Sequence, residues 1–354
     1  MTGARAVAPG VRAAFDDHLA HADETGATAL ALSLLRSGAS AEEVLLRLIA
    51  PAQAAVGTRW LSTQWSVAQE HAATHVSERV VSAVAAEVSA ARPRNSAPGR
   101  RVLCACVEGE RHTLPARIAA EVLRLRGLDL TFLGADVLVP RLVSHLHRQG
   151  PDLVALSCMI PVCLPAAHRL VECSRRAGVP VLAGGAGFGP AGAWARTLGA
   201  DLYVPDPAAA ADLLAVRWPD TPRETAPLEH LADEEYSRIV RQRGELLRRL
   251  LARLRERYSP LCDPGAEHAE AVLEDLGRLP DVLAAANYVD DPRVLTHYLS
   301  FGAVFLHARG LPTAALGVAL GALSGPLRDL PRASGHLDAG RRWLAAAGHA
   351  VPPD

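Results

Sequence analysis

The feature that most constrains this chain is a change of hydrophobic period at Arg100. Beyond it, short apolar runs at 101–107, 129–133, 152–157, 179–183 and 201–204 alternate with helical patterns at about 115–127, 139–149, 164–177 and 188–198. Strands and helices alternating at this spacing require right-handed crossovers and a parallel sheet covered on both faces. Strands buried on both faces read as nearly unbroken apolar runs, and these do.

On either side of this region the period is helical. Val11, Phe15 and Leu19 recur at helical spacing, and a second helix runs from Thr25 to Arg36. Ser40-Ala-Glu-Glu43 is a capping box opening a third helix, Glu42 to Val56, closed by Gly57-Thr-Arg-Trp60. Ser66-Val-Ala-Gln69 opens a fourth, to about Val88. Short connections between four helices predict an antiparallel bundle. Pro- and Arg-rich residues 91–99 read as a linker, as do residues 205–228, with five Pro and a short Ala/Leu helix. From Leu228 a long helix reaches about Tyr258, where Ser259-Pro260 stops it, and helices follow near 265–277, 280–287, 291–309, 312–323 and 337–347. The expected fold is multidomain α and α/β. It has a four-helix bundle cap over 1–95, a flavodoxin-like five-stranded parallel α/β domain over 96–218 and an all-α domain over 228–354.

Charge narrows the function classes. The formal net charge of −1 gives no electrostatic case for direct nucleic-acid or anionic-membrane binding. The six Cys show no paired C-x-x-C spacing and read as buried, reduced thiols. No leader pattern and no membrane-length apolar stretch is evident, so the expected location is cytoplasmic.

The chemistry concentrates in Val107-Glu108-Gly109-Glu110-Arg111-His112-Thr113-Leu114-Pro115, between strand one and the next helix. Ser157 ends strand three, and Gly184-Gly185 follow strand four. In a doubly wound sheet these segments converge on one crevice at the carboxyl edge, where ligands bind. Alone, His112 reads as a surface loop histidine and Gly184-Gly185 as an ordinary turn; together they describe a site for a large ligand.

These residues resemble the cobalamin-binding domain. Members carry Asp or Glu, then x-His-x-x-Gly, after strand one; Glu110-Arg-His112 fits, and Pro115 replaces the final Gly. Phe132-Leu-Gly-Ala135, Leu156-Ser157 and Gly184-Gly185 also match, so the resemblance covers about residues 99–218. It implies that His112 is the lower cobalt ligand, replacing the cofactor's dimethylbenzimidazole. It implies further that Glu110 orients the imidazole, that the nucleotide tail enters beside strands one, three and four, and that Ser157 hydrogen-bonds the buried base. Pro115 is where the local tail path should differ.

Trp60 with Glu70-His71 resembles the helical cap of light-sensing cobalamin-dependent repressors. Val67, Glu70, His71 and Thr74 share a helix face. The resemblance implies adenosylcobalamin, with Trp60 and Val67 packing on the adenosyl group and Glu70 bonding its ribose. Leu61 stands where those proteins carry a His. Either His71 supplies the upper ligand after light, or no stable bis-histidine product forms. His71 and His75 have metal-ligand spacing but no third ligand. The family's DNA-binding helix-turn-helix has no counterpart here.

In the third domain, the first helix carries eight Arg beside Leu246, Leu247, Leu250, Leu251 and Leu254, an amphipathic pattern whose leucine face suggests a homodimer. Tyr288, His297, Tyr298, Phe301, Phe305, His307 and Arg309 cluster in a chain only 4% aromatic. Cap, cobalamin domain and globin-like all-α domain, in that order, resemble the photocobilins. That implies biliverdin as a second tetrapyrrole cofactor, held by His297, Tyr298, His307 and Arg309; a covalent link could form only at Cys262.

The expected function is a non-enzymatic photoreceptor, with no catalytic residues and an unidentified downstream protein partner. Light would break the cobalt–carbon bond and shift cap against sheet. The alternatives are a corrinoid methyl carrier serving a methyltransferase system and a light-independent cobalamin or tetrapyrrole sensor.

Overall fold

Caps written in the sequence open the first helices. α1 (Pro9–Ala20) starts on Pro, whose missing N–H costs nothing in the first turn. α2 (Glu24–Arg36) is capped by Asp23, which accepts from the Gly26 N–H at 2.9 Å. At Ser40 the capping box is complete: its hydroxyl accepts from the Glu43 N–H at 3.1 Å, and the Glu43 carboxylate accepts from the Ser40 N–H at 2.9 Å. The box opens α3 (Ala41–Glu43), which continues through a π-helical stretch, Val44–Ile49, into α4 (Ala50–Leu61). α4 thus runs past Gly57 to Leu61 instead of closing there. An interior Gly costs only about 1 kcal/mol, which packing of the helix outweighs. The Ser66–Gln69 box opens α5 (Val67–Ala91).

The computed structural model describes residues 8–91, 99–222, 227–258 and 269–348. Contacts divide the chain into two units, Met1–Met159 with Ala166–Thr225, and Ile160–Pro165 with Ala226–Asp354.

In the first unit, the described residues form a five-stranded parallel sheet, ordered β2-β1-β3-β4-β5. The strands are β1 (Arg101–Cys106), β2 (Asp129–Phe132), β3 (Leu153–Ser157), β4 (Val181–Gly184) and β5 (Leu202–Tyr203). Helices α6 (Thr113–Leu125), α7 (Val139–Gln149), α8 (Leu164–Arg176), α9 (Ala193–Thr197) and α10 (Pro207–Val216) follow them in turn. Strand order reverses between β1 and β3, which makes that edge the switch point. α10 is part of the domain and not of a linker. Its Ala210, Ala211 and Leu214 pack in one core with Ala120 and Leu123 of α6 and Leu153 of β3. Asp206 caps it by accepting from the Ala209 N–H at 2.7 Å. The bundle has no closed core of its own: Leu114, Ile118 and Val122 of α6 pack with Phe15, Ile49 and Val80.

The second unit holds α11 (Glu235–Arg257), α12 (Ala269–Leu276), α13 (Leu279–Val289), α14 (Arg293–Ala308), α15 (Ala314–Leu327) and α16 (Pro331–Ala346). Leu246, Leu250 and Leu254 of α11 are fully buried, and the helix packs on α13 and α15. These three of the five leucines are therefore used inside their own unit. Buried Glu235 caps α16, accepting from the Arg332 and Ala333 N–H groups at 3.1 and 3.0 Å. No helix among the described residues is long and apolar enough to cross a membrane.

Candidate cofactor-binding site

Strand register assembles the site. Cys106 lies opposite Ser157, and Ser157 opposite Gly184, so the ends of β1, β3 and β4 stand side by side. Beyond Cys106 the Val107 N–H donates to the Ser157 carbonyl at 3.1 Å. Gly109 then turns with φ +83°, and its N–H donates to Asp136 Oδ1 at 2.8 Å. A left-handed residue here favours glycine. The turn carries Glu110 inward.

Glu110 has 0% exposure. Its carboxylate accepts from His112 Nδ1 at 2.5 Å, the His112 N–H at 2.9 Å and the Met159 N–H at 2.6 Å. Burial pushes this carboxyl up, but the three donations outweigh burial and hold it below the usual carboxylate range. An ionised, buried carboxylate thus grips one ring nitrogen of a histidine whose side chain is 58% exposed. That fixes the ring through Nδ1 and leaves Nε2 as the nitrogen that Glu110 does not hold. Pro115, exposed in the first turn of α6, needs no N–H partner and fits without strain.

Ser157 is buried at the end of β3. Gly185 has φ +103°, and a Cβ there would lie 2.3 Å from the Cys158 carbonyl oxygen. A Cβ on Gly184 would meet its nearest atom, the Val204 carbonyl oxygen, at 3.4 Å. The glycine pair thus has unequal causes: packing within the chain demands Gly185, while a Cβ on Gly184 would make only ordinary contact.

On the bundle, Thr74 donates to Glu70 Oε1 at 2.9 Å and accepts from Gln53 Nε2 at 2.6 Å. Gln53 and Trp60 are seven residues apart on α4 and share a face, so the α4 and α5 faces singled out by Trp60 and Glu70 meet. Val67 is 46% exposed. His71 is exposed, its Nε2 3.5 Å from Glu70 Oε2. Sequence reading named Thr74 but missed Gln53; a lone polar residue a heptad before Trp60 was the available signal.

In the second unit, Tyr298 donates to the Asp275 carbonyl. Arg309 lies over the Phe305 ring, 3.6 Å from its centroid, and donates to the Phe305 carbonyl at 3.1 Å. His297 and His307 are exposed. Burial pushes the Asp275 carboxyl up to about 6. Cys262 lies outside the described residues.

Residues 100–214 match a family model described as a B12 binding domain, and residues 11–85 match a second model of the same description. With the switch-point histidine and its buried carboxylate, these segments define a corrinoid-binding protein. The all-α unit lies outside both matches. Over 106 residues the chain is 30% identical to trimethylamine corrinoid protein 2 of Methanosarcina acetivorans, and 28% identical to that of Methanosarcina mazei. This is 29% of this chain and 48% of each relative, so the chain spans about half the length of the curated relatives it matches. A solved structure, the Methanosarcina barkeri monomethylamine corrinoid protein, is similar in fold: TM-score 0.50, 20% identity, covering 57% of this chain and 96% of that one.

Proposed function

We propose that this chain is a corrinoid carrier. His112 would ligate the cobalt of a bound cobalamin-type cofactor, and the loaded protein would serve a partner methyltransferase as its methyl carrier. The observation that carries this is the Glu110–His112 pair, an ionised carboxylate fully buried beneath a half-exposed imidazole. The donor set fits cobalt: an imidazole Nε2 whose other nitrogen is held by a carboxylate is a basic, oriented ligand. When bound, the corrin supplies a cobalt that accepts and gives up an alkyl group. The chain orients His112 through Glu110. Ser157, Gly184 and Gly185 line the path of the nucleotide tail. The likeness to corrinoid proteins of methylamine systems supports a carrier over a light receptor.

A second reading keeps the light receptor, with adenosylcobalamin above His112 and biliverdin held by His297, Tyr298, His307 and Arg309. It is favoured by the Gln53–Thr74–Glu70 hydrogen-bond chain, which joins the α4 face that carries Trp60 to the α5 face that carries Glu70. One experiment separates the two. Titrate the protein with methylcobalamin and adenosylcobalamin in darkness, then measure sedimentation before and after green light. A carrier binds methylcobalamin at least as tightly and sediments unchanged. Preference for adenosylcobalamin with a light-driven change in sedimentation would replace the carrier reading with the receptor.

A further inference from the structure

The helix that follows His112 is held from outside the α/β domain. His112 occupies the N-cap position of α6 and makes no capping bond with its side chain. The next residue, Thr113, instead donates its hydroxyl to Glu78 Oε1 of α5 at 2.7 Å. A carboxylate beside a helix N-terminus is electrostatically favourable. The buried face of α6 then continues into the bundle core through Leu114, Ile118 and Val122. Glu70, Thr74 and Glu78 recur every fourth residue and form one stripe of α5. That stripe spans about 12 Å at the rise of an α-helix. It carries the Glu70 carboxylate at one end and the contact to the His112 loop at the other.

We infer that Glu78 is a positioning residue for His112, acting through Thr113, so that the bundle has a direct hold on the lower-ligand loop. This rests on His112 being the cobalt ligand. Glu110 fixes the imidazole at Nδ1, and Glu78 holds the Thr113 side chain where the loop becomes helix. A bundle displaced from α6 would break the second anchor and leave the first.

The test uses the full chain loaded with methylcobalamin, read by its visible spectrum and by dissociation constant. Glu78→Ala and Thr113→Val delete the hydrogen bond. Glu78→Gln keeps an acceptor, and Thr113→Ser keeps the hydroxyl. Loss of an outer partner of a metal ligand typically costs 10- to 100-fold in affinity. Glu78 bonds the neighbour of the ligand and not the ligand itself, so the deleting variants should bind more weakly by about 10-fold, the low end of that range, with a spectrum displaced toward that of His112→Ala. The conserving variants should match the native protein. If Glu78→Ala does not fold, Thr113→Val tests the same bond from its other side. Native spectra and affinities in both deleting variants, while His112→Ala is altered, would overturn the inference. A native spectrum in His112→Ala would instead overturn the proposed function.

Discussion

Glu110 Oε1 lies 2.5 Å from His112 Nδ1, and it also accepts from the His112 N–H at 2.9 Å. One carboxylate oxygen therefore fixes both the ring and the backbone of the same residue. Replacing it with an amide keeps the shape but turns a charged acceptor into a neutral one. Glu110→Gln should weaken cobalamin binding by about 10- to 100-fold, measured by spectral titration. Unchanged affinity would mean that the imidazole needs no orienting partner.

The same carboxylate sets an acid limit. The folded-state pKa of Glu110 is depressed, because donations from His112 and Met159 outweigh the opposing effect of burial. Its stabilisation is present above the ordinary carboxylate range and is lost as pH falls through the depressed value. Urea unfolding between neutral and acidic pH should show the first unit losing stability on this limb. In Glu110→Gln that slope should be shallower.

Asp275 has the opposite sign. Burial raises its pKa from the ordinary 3.8 to about 6. Protonation therefore stabilises the fold: the contribution is fully present below the unfolded pKa and is lost as pH rises through about 6. The rise is worth about 3 kcal/mol between the two protonation states. Asp275→Asn should stabilise the all-α unit at neutral pH and flatten its pH dependence, read by thermal unfolding. Tyr298 bonds the Asp275 backbone carbonyl, so that contact survives the change.

The two glycines after β4 should separate fold from ligand. At Gly185 a Cβ would clash with the Cys158 carbonyl at 2.3 Å, on a backbone with φ +103°. Gly185→Ala should destabilise the protein by about 1–3 kcal/mol or more in denaturant unfolding. At Gly184 the nearest contact is 3.4 Å. Gly184→Ala should leave unfolding nearly unchanged while weakening cobalamin binding in spectral titration.

The sheet and its edge were legible because period and loop chemistry are local. Five buried runs spaced by helices fix a doubly wound sheet, and Glu110-x-His112 at a strand exit marks the crevice. What escaped reading depends on contacts distant in sequence. Glu78 and Thr113 are 35 residues apart, and neither stands out alone. Prolines around residues 205–228 resemble a linker, yet Pro207 merely starts α10, whose alanines pack on α6. The leucines of α11 announce an apolar face without saying what covers it; α13 and α15 do. Tyr298 stands out as one of few aromatics, but nothing near it in sequence shows that its hydroxyl donates to the Asp275 carbonyl.

The most direct test of the central claim asks which nitrogen binds cobalt. Express the protein with heavy nitrogen in histidine only, load it with unlabelled cobalamin and reduce the cobalt to its paramagnetic divalent state. If His112 is the lower ligand, the nitrogen hyperfine splitting in the electron paramagnetic resonance spectrum changes from triplet to doublet, and His112→Ala abolishes the doublet. A triplet that persists in the labelled protein would place the cofactor's own base on the cobalt and contradict the account.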